Sequence, residues 1–228
     1  MSWFGQSRSP GGSLIVKHEN AQATALDVDA LLPRFTEERE PVYERIFGKA
    51  ICVSHEVLPL VPHVDVYTFA RKQGERIVYS LVTGGMSDLP MTLPPFASGE
   101  IRRAELVFYC SDPKDEYIDT LRWLAHFPHT YKTCVGYGHT IPNGNPPAPF
   151  WGSEALDTIL LMQTIVARDQ KLPEELKIED DPVHFLWVVP LTTAECNLKL
   201  QKGFSAILGL FGQHHHPHVF DPARKSYV

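Results

Sequence analysis

The period of the hydrophobic positions changes several times along the chain, and each change marks an element. Residues 64–69 (VDVYTF), 76–82 (RIVYSLV) and 103–109 (RAELVFY) alternate or run apolar, are rich in β-branched and aromatic side chains, and predict three strands. Residues 184–189 (HFLWVV) read as a fully buried strand, and 158–166 (TILLMQTIV) as a strand or equally as a short helix. Helical spacing appears three times. Pro41 at a first helical position and Gly48 just past the end bracket a short helix over 41–47. Asp112 as N-cap and Pro113 at the next position open a second, carried by Tyr117, Leu121, Leu124 and Phe127 and stopped by Pro128. Thr192 and Glu195 spell a capping box, and Leu198, Leu200, Phe204, Ile207, Leu208 and Phe211 line a helix over 193–211 that Gly212 ends. Val219 and Phe220 predict a last short strand.

Two loops separate these elements. Residues 83–95 carry glycines that permit positive φ and prolines that cannot continue a ladder. Residues 132–152 hold too many prolines and glycines for a regular element; loops this long are usually functional or disordered, and Tyr137, Phe150 and Trp151, which read as buried, favour order. Residues 1–30 read as a flexible or loosely docked arm, leaving 31–228 as one domain. No repeat of solenoid or propeller length is present.

Composition narrows the function. With 228 residues, 43% hydrophobic and 21% charged, the chain has the profile of a folded domain large enough to need no metal or disulfide staple. Lys plus Arg is 21 against Asp plus Glu at 27, a formal charge of -6, which argues against gripping a nucleic-acid backbone. No run approaches the roughly 20 apolar residues that span a bilayer, and the first residues lack a signal peptide's apolar region, so a cytoplasmic protein without membrane contact is expected. Cys52, Cys110, Cys134 and Cys196 form no C-x-x-C and read as reduced, Cys110 and Cys196 among core-type neighbours.

The chemistry is sparse. No P-loop, G-x-G-x-x-G, G-x-S-x-G or H-E-x-x-H occurs. Strand alternation would put His63 and Asp65 on one face, to be joined by His129 or His139 as a metal site; the plainer reading is the polar outer face of a half-buried strand. Cys134 and His139 are a conceivable nucleophile and base, separated in a loop. In the run from His214 to His218, adjacent rings cannot all face one ion and Pro217 interrupts any helix. The expectation is therefore no catalysis, no metal and no cofactor, the alternative being a metal-assisted or thiol-dependent enzyme built on His63, Asp65, His139 or Cys134. The polar groups of the 83–91 and 136–143 loops, Ser87, Asp88, His139 and Asn143, stand where recognition residues usually lie, although Asp88 and Asn143 also suit turns that bond their own backbone.

At these same residues the sequence resembles the suppressor of fused family, through 81–91 (LVTGGMSDLPM), 103–106 (RAEL), 136–144 (GYGHTIPNG), 185–192 (FLWVVPLT) and the closing 219–224 (VFDPAR), in order and spacing from about residue 40 to 225. The resemblance implies an α+β fold, a single domain with a central mixed β-sheet flanked by helices, and a role in binding a protein. Animal members bind zinc-finger transcription factors, and bacterial single-domain members are thought to be immunity proteins against polymorphic toxins. The chain corresponds to the first domain of the animal architecture without the second lobe, so the bacterial type fits better, with a toxin or a regulatory protein as partner. The partner-binding residues then expected are Thr83, Gly85, Met86, Ser87, Asp88, Tyr137, His139 and Asn143. A partner strand adding along 76–88 is the expected mode, with the 76–82 strand at a sheet edge.

Overall fold

The structure, a computed structural model, describes residues 7–18, 31–58, 60–94 and 101–228. Parts of the arm (1–6 and 19–30) and Pro95 at the end of the first loop lie outside the described residues.

In chain order the strands are β1 (Ser7–Arg8), β2 (Leu14–Ile15), β3 (Ala50–Ser54), β4 (Asp65–Gln73), β5 (Arg76–Gly84), β6 (Arg103–Cys110), β7 (Thr140–Pro142), β8 (Leu156–Gln163), β9 (Lys177–Ile178) and β10 (Asp181–Thr192). The helices are α1 (Thr36–Phe47), α2 (Asp115–Thr130), α3 (Leu172–Glu175), α4 (Thr193–Lys202) and α5 (Phe204–Gln213). The main sheet runs β3-β4-β5-β6-β10-β8-β7, with β9 paired to β10. The β6–β10 pair is parallel and the other pairs are antiparallel, so the sheet is mixed.

Alternation in the central strands feeds two cores. Ala104, Leu106, Phe108 and Cys110 of β6 and Leu186 and Val188 of β10 point to one face, where Tyr117, Leu121, Leu124 and Ala125 of α2 cover them with Trp151. Val107 and Tyr109 of β6, with Phe185, Trp187, Val189 and Leu191 of β10, point to the other, under Val42, Tyr43, Ile46 and Phe47 of α1 and Ile207 and Phe211 of α5. A strand covered on both faces has no polar side to show, which is why 103–109 and 184–189 read as nearly continuous apolar runs.

Several expectations shift. Helix α1 begins at Thr36, so Pro41 sits inside it, while Gly48 ends it as expected, its N–H bonded to the Glu44 carbonyl. Helix α2 starts at Asp115 behind Lys114, without a side-chain cap from Asp112, and runs past Pro128 to Thr130: proline's missing N–H and ring act on the bond back to Leu124, while beyond it the Tyr131 N–H still reaches the Phe127 carbonyl at 3.1 Å. The helix expected over 193–211 is two helices: Gly203, at φ 88°, leaves the right-handed region and re-aims the chain. Gly11 of the arm packs against that joint, its N–H donating to the Leu200 carbonyl at 2.8 Å, so closely that a side chain on Gly11 would collide with backbone at Lys199 and Leu200. Val219 and Phe220 form no strand; Phe220 N–H makes one bond to the Tyr109 carbonyl (2.8 Å) and its ring packs on Phe108 and Trp151. The stretch 158–166 is a strand, with bounds 156–163. Strand β5 is not an edge: β4 flanks it on one side and β6 on the other, and the outer strands of the sheet are β3 and β7.

Candidate functional site

The 3₁₀ turn Met86–Asp88 follows β5 and is enclosed by charged groups from distant parts of the chain. Glu105 of β6, without exposed surface, accepts from Thr83 Oγ1 (2.6 Å), Gly85 N–H (2.9 Å), Ser87 N–H (3.1 Å) and Ser87 Oγ (2.5 Å). Thr83 Oγ1 also accepts the Leu106 N–H at 2.8 Å, and the Thr83 carbonyl accepts from the Tyr43 hydroxyl at 2.6 Å. Arg39 of α1 donates from Nη2 to Asp88 Oδ1, and its Nε lies 3.6 Å from Glu105 Oε1. Asp88 Oδ2 accepts the Arg34 N–H at 2.9 Å. Arg103 holds the turn from below, donating from Nη1 to the carbonyls of Ser87 (2.7 Å) and Asp88 (3.1 Å) and from Nη2 to Glu179. His129 of α2 donates from Nε2 to the Met86 carbonyl at 3.0 Å.

Two carboxylates thus face one shared guanidinium in a buried setting. Burial, reinforced by Glu105, pushes the Asp88 carboxyl up to about 6 despite Arg39. Gly85, at φ 127°, is a place only glycine can fill, because a Cβ there would overlap the His63 carbonyl oxygen.

Thr83, Gly85, Met86, Ser87 and Asp88 are all buried in the isolated chain. Ser87 and Asp88 therefore do not offer acceptors outward; they frame the turn. Beyond them Leu89 is half-buried, Pro90 is exposed and Met91 N–H bonds to the Arg102 carbonyl (2.7 Å). The second loop reaches the first here, with Val135 N–H directed at Met91 Sδ at 3.5 Å. Tyr137 is 38% exposed and stands edge-on to His184, its hydroxyl 3.4 Å from Nδ1. His184 pairs in register with Ala104, next to Arg103, so Tyr137 shares the turn's end of the sheet. His139 is exposed, its carbonyl accepting the Leu161 N–H at 2.9 Å. Asn143 lies at the opposite end, bracing its own loop from Nδ2 to the Ala148 carbonyl (2.6 Å).

The enzyme-type candidates are engaged in structure. Asp65 Oδ1 lies 2.9 Å from His63 Nε2 and accepts the Glu56 N–H at 3.0 Å, while Oδ2 lies 3.0 Å from His55 Nδ1. His63 and Asp65 are buried, not on an outer polar face. Glu56 in turn accepts the Val64 N–H (3.1 Å) and pairs with His126 (2.7 Å). Cys134 is half-buried in the second loop, and Cys110 and Cys196 are buried as expected. Rings of the histidine run face three different aromatics: His214 stacks on Tyr227, His216 on Phe211, and His218 stands edge-on to Tyr109. Among the described residues no group of three or more His, Cys, Asp or Glu side chains comes together to hold a metal ion. No described helix is long and apolar enough to cross a membrane.

Arg39, Glu105 and Arg103 were not singled out as site residues from the sequence. The available signal was a charge at each of positions 103 and 105 in an otherwise apolar run, since a charge in a doubly covered strand requires a partner.

Fold and turn together define a single α+β domain: a mixed sheet between two helical layers, with a charge-locked Ser-Asp turn at one end. The model of the family described as suppressor of fused protein (SUFU) matches residues 61–225, and the chain belongs to that family. Among solved structures, a SUFU homolog from Neisseria gonorrhoeae superposes with a TM-score of 0.65 at 16% identity, over 85% of this chain and 97% of that one. Drosophila Suppressor of Fused gives 0.59 at 13% identity, over 89% of this chain and 54% of that one. A chain of a Sufu–Fu complex gives 0.52 at 13% identity, over 84% and 89%. No curated protein sequence matches the chain.

Proposed function

We propose that the chain is a non-catalytic protein-binding domain whose partner face is the end of the sheet around the Ser87–Asp88 turn. In this reading Thr83, Gly85, Met86, Ser87 and Asp88 set the backbone, while Leu89, Pro90, Tyr137 and His139 meet the partner; Asn143 holds its loop at the far end. The observation that carries the reading is that the family's Gly-Met-Ser-Asp turn is locked by buried charges from α1 and β6, with Pro90 exposed two residues on and Tyr137 exposed at the same end of the sheet. Rigid scaffolding under exposed loop residues is the usual construction of a recognition surface. The similar chain in a Sufu–Fu complex supports a protein as the partner. A cytoplasmic immunity protein that neutralises a toxin is the finer assignment we favour, with a regulatory partner as the other outcome.

The test is capture of binding proteins with the wild-type chain and with Tyr137→Ala, followed by co-expression with the captured partner. Tyr137→Ala is expected to lose the partner at unchanged melting temperature, and a toxin partner is expected to arrest growth unless the wild-type chain is present. Equal capture by both chains would move the face elsewhere.

A further inference from the structure

Among the described residues, a further exposed apolar patch lies beside α2. The segment joining β3 to β4 presents Val57 at 89%, Leu58 at 79% and Leu60 at 53% exposure, and Trp123 of α2 beside it is 47% exposed. Between them runs a groove of about 310 Å³ lined by Leu60, Trp123, Phe127 and Tyr131, with Glu56, Asp119 and Arg122 along it. Arg122 is not available to a ligand as a free cation: Nε donates to the Val64 carbonyl (3.2 Å), Nη2 to the Ser54 carbonyl (3.0 Å), and Nη1 lies 3.6 Å from Asp119. The first turns of α2 add Asp115 and Glu116, both exposed, against Lys114, which lies 3.8 Å from Glu116. The mouth is thus apolar with an acidic border. One end of the aromatic lining already seats a ring of the same chain, His18, 5.3 Å from both Phe127 and Tyr131.

We propose that this groove is a second protein-docking site, taking an extended segment of a partner that combines a large apolar side chain with lysine or arginine. The apolar side chain lies between Trp123 and Leu60, and the cation reaches Asp119 and Asp115. Exposed apolar patches with a polar border mark interaction sites, a flat tryptophan face also favours a cationic neighbour, and the acidic border disfavours anionic lipid. The site is independent of the face around Tyr137.

The probe is a dye-labelled peptide alternating leucine and lysine, followed by anisotropy, with the leucine–glutamate peptide as control. Saturable binding is expected that weakens with salt and falls about ten-fold in Trp123→Ser and in Leu60→Ser, exposed positions whose loss leaves the melting temperature in place. Tyr137→Ala is expected to bind this peptide normally, which separates failure here from failure of the proposed function. Absence of saturable binding, equal binding of the glutamate peptide, or equal binding by the Trp123→Ser and Leu60→Ser variants would overturn the proposal. So would preferential binding to phosphatidylcholine–phosphatidylserine vesicles, or a concentration-dependent dimer abolished by Leu58→Asp, which would assign the patch to a membrane or to a second copy.

Discussion

Arg224 and Glu195 form a two-point ion pair, Nη1 donating to Oε1 at 2.6 Å and Nη2 to Oε2 at 2.9 Å. Glu195 also accepts the N–H groups of Thr192 (2.9 Å) and Tyr227 (3.0 Å), so one buried carboxylate both caps α4 and ties down the C-terminal segment. Burial pushes this carboxyl up, but hydrogen bonds and charge from Arg224 outweigh it and hold it below the usual range. A depressed value in the fold means stability present above the ordinary carboxylate range and lost as pH falls through the folded value. Arg224→Ala, which strands a buried carboxylate, is expected to cost about 3 kcal/mol in urea denaturation and to expose residues 214–224 to protease.

Asp88 behaves in the opposite sense. Its carboxyl rises to about 6 in the fold, so the folded state holds a proton that the unfolded chain releases, and this site's contribution improves as pH falls through about 6. Asp88→Asn keeps one acceptor, for Arg39 or for the Arg34 N–H but not for both, and removes the second negative charge beside Glu105. Its stability relative to wild type is expected to be highest near neutral pH and to shrink toward pH 5, read from denaturation midpoints.

Gly85→Ala should be among the most damaging single-methyl additions, because positive φ and the His63 carbonyl both oppose it. A loss of about 2 kcal/mol or more is expected by thermal denaturation, while Gly12→Ala, also at positive φ but with open space around it, should cost less.

Thr83→Val keeps the shape of the side chain and removes its hydroxyl, leaving Glu105 without one donor and the Leu106 N–H without its acceptor. A cost of about 2 kcal/mol is expected in denaturation.

Burial lowers His129 and His216 to about 4, the Met86 carbonyl only partly opposing this at His129. Both rings are neutral in the fold and protonate in the unfolded chain at about 6.5, so stability falls as pH drops from about 6.5 toward 4. The acid limb of the stability profile is expected to flatten in the His129→Gln/His216→Gln double variant.

Local signals in the sequence read well. The Thr192–Glu195 capping box stands as expected, and the alternation of β4, β5 and β6 placed those strands within a few residues. Features set by distant partners did not read. Ser87 and Asp88 have the composition of an exposed turn and are buried only because Arg39 and Glu105 arrive from other elements. Strand β5, with its polar start at Arg76, suggested an edge; its first residues pair only with β4, whereas Tyr79–Val82 pair with β6 as well. Strand β3 was missed although Ile51 and Val53 gave a β-branched pattern, a five-residue signal too short to stand out between Gly48 and the following loop.

The parallel contact between β6 and β10 joins the first half of the chain to its last quarter, and each strand completes its other side with sequence-local neighbours. Neither half closes its own sheet. Chain segments this far apart must find each other before the two cores form, so the rate of folding is set by a long-range search, with the apolar faces of β6 and β10 open meanwhile. A fragment ending before residue 181 would keep the locked turn's residues yet leave one side of β6 unpaired, and such a fragment is expected to aggregate rather than fold.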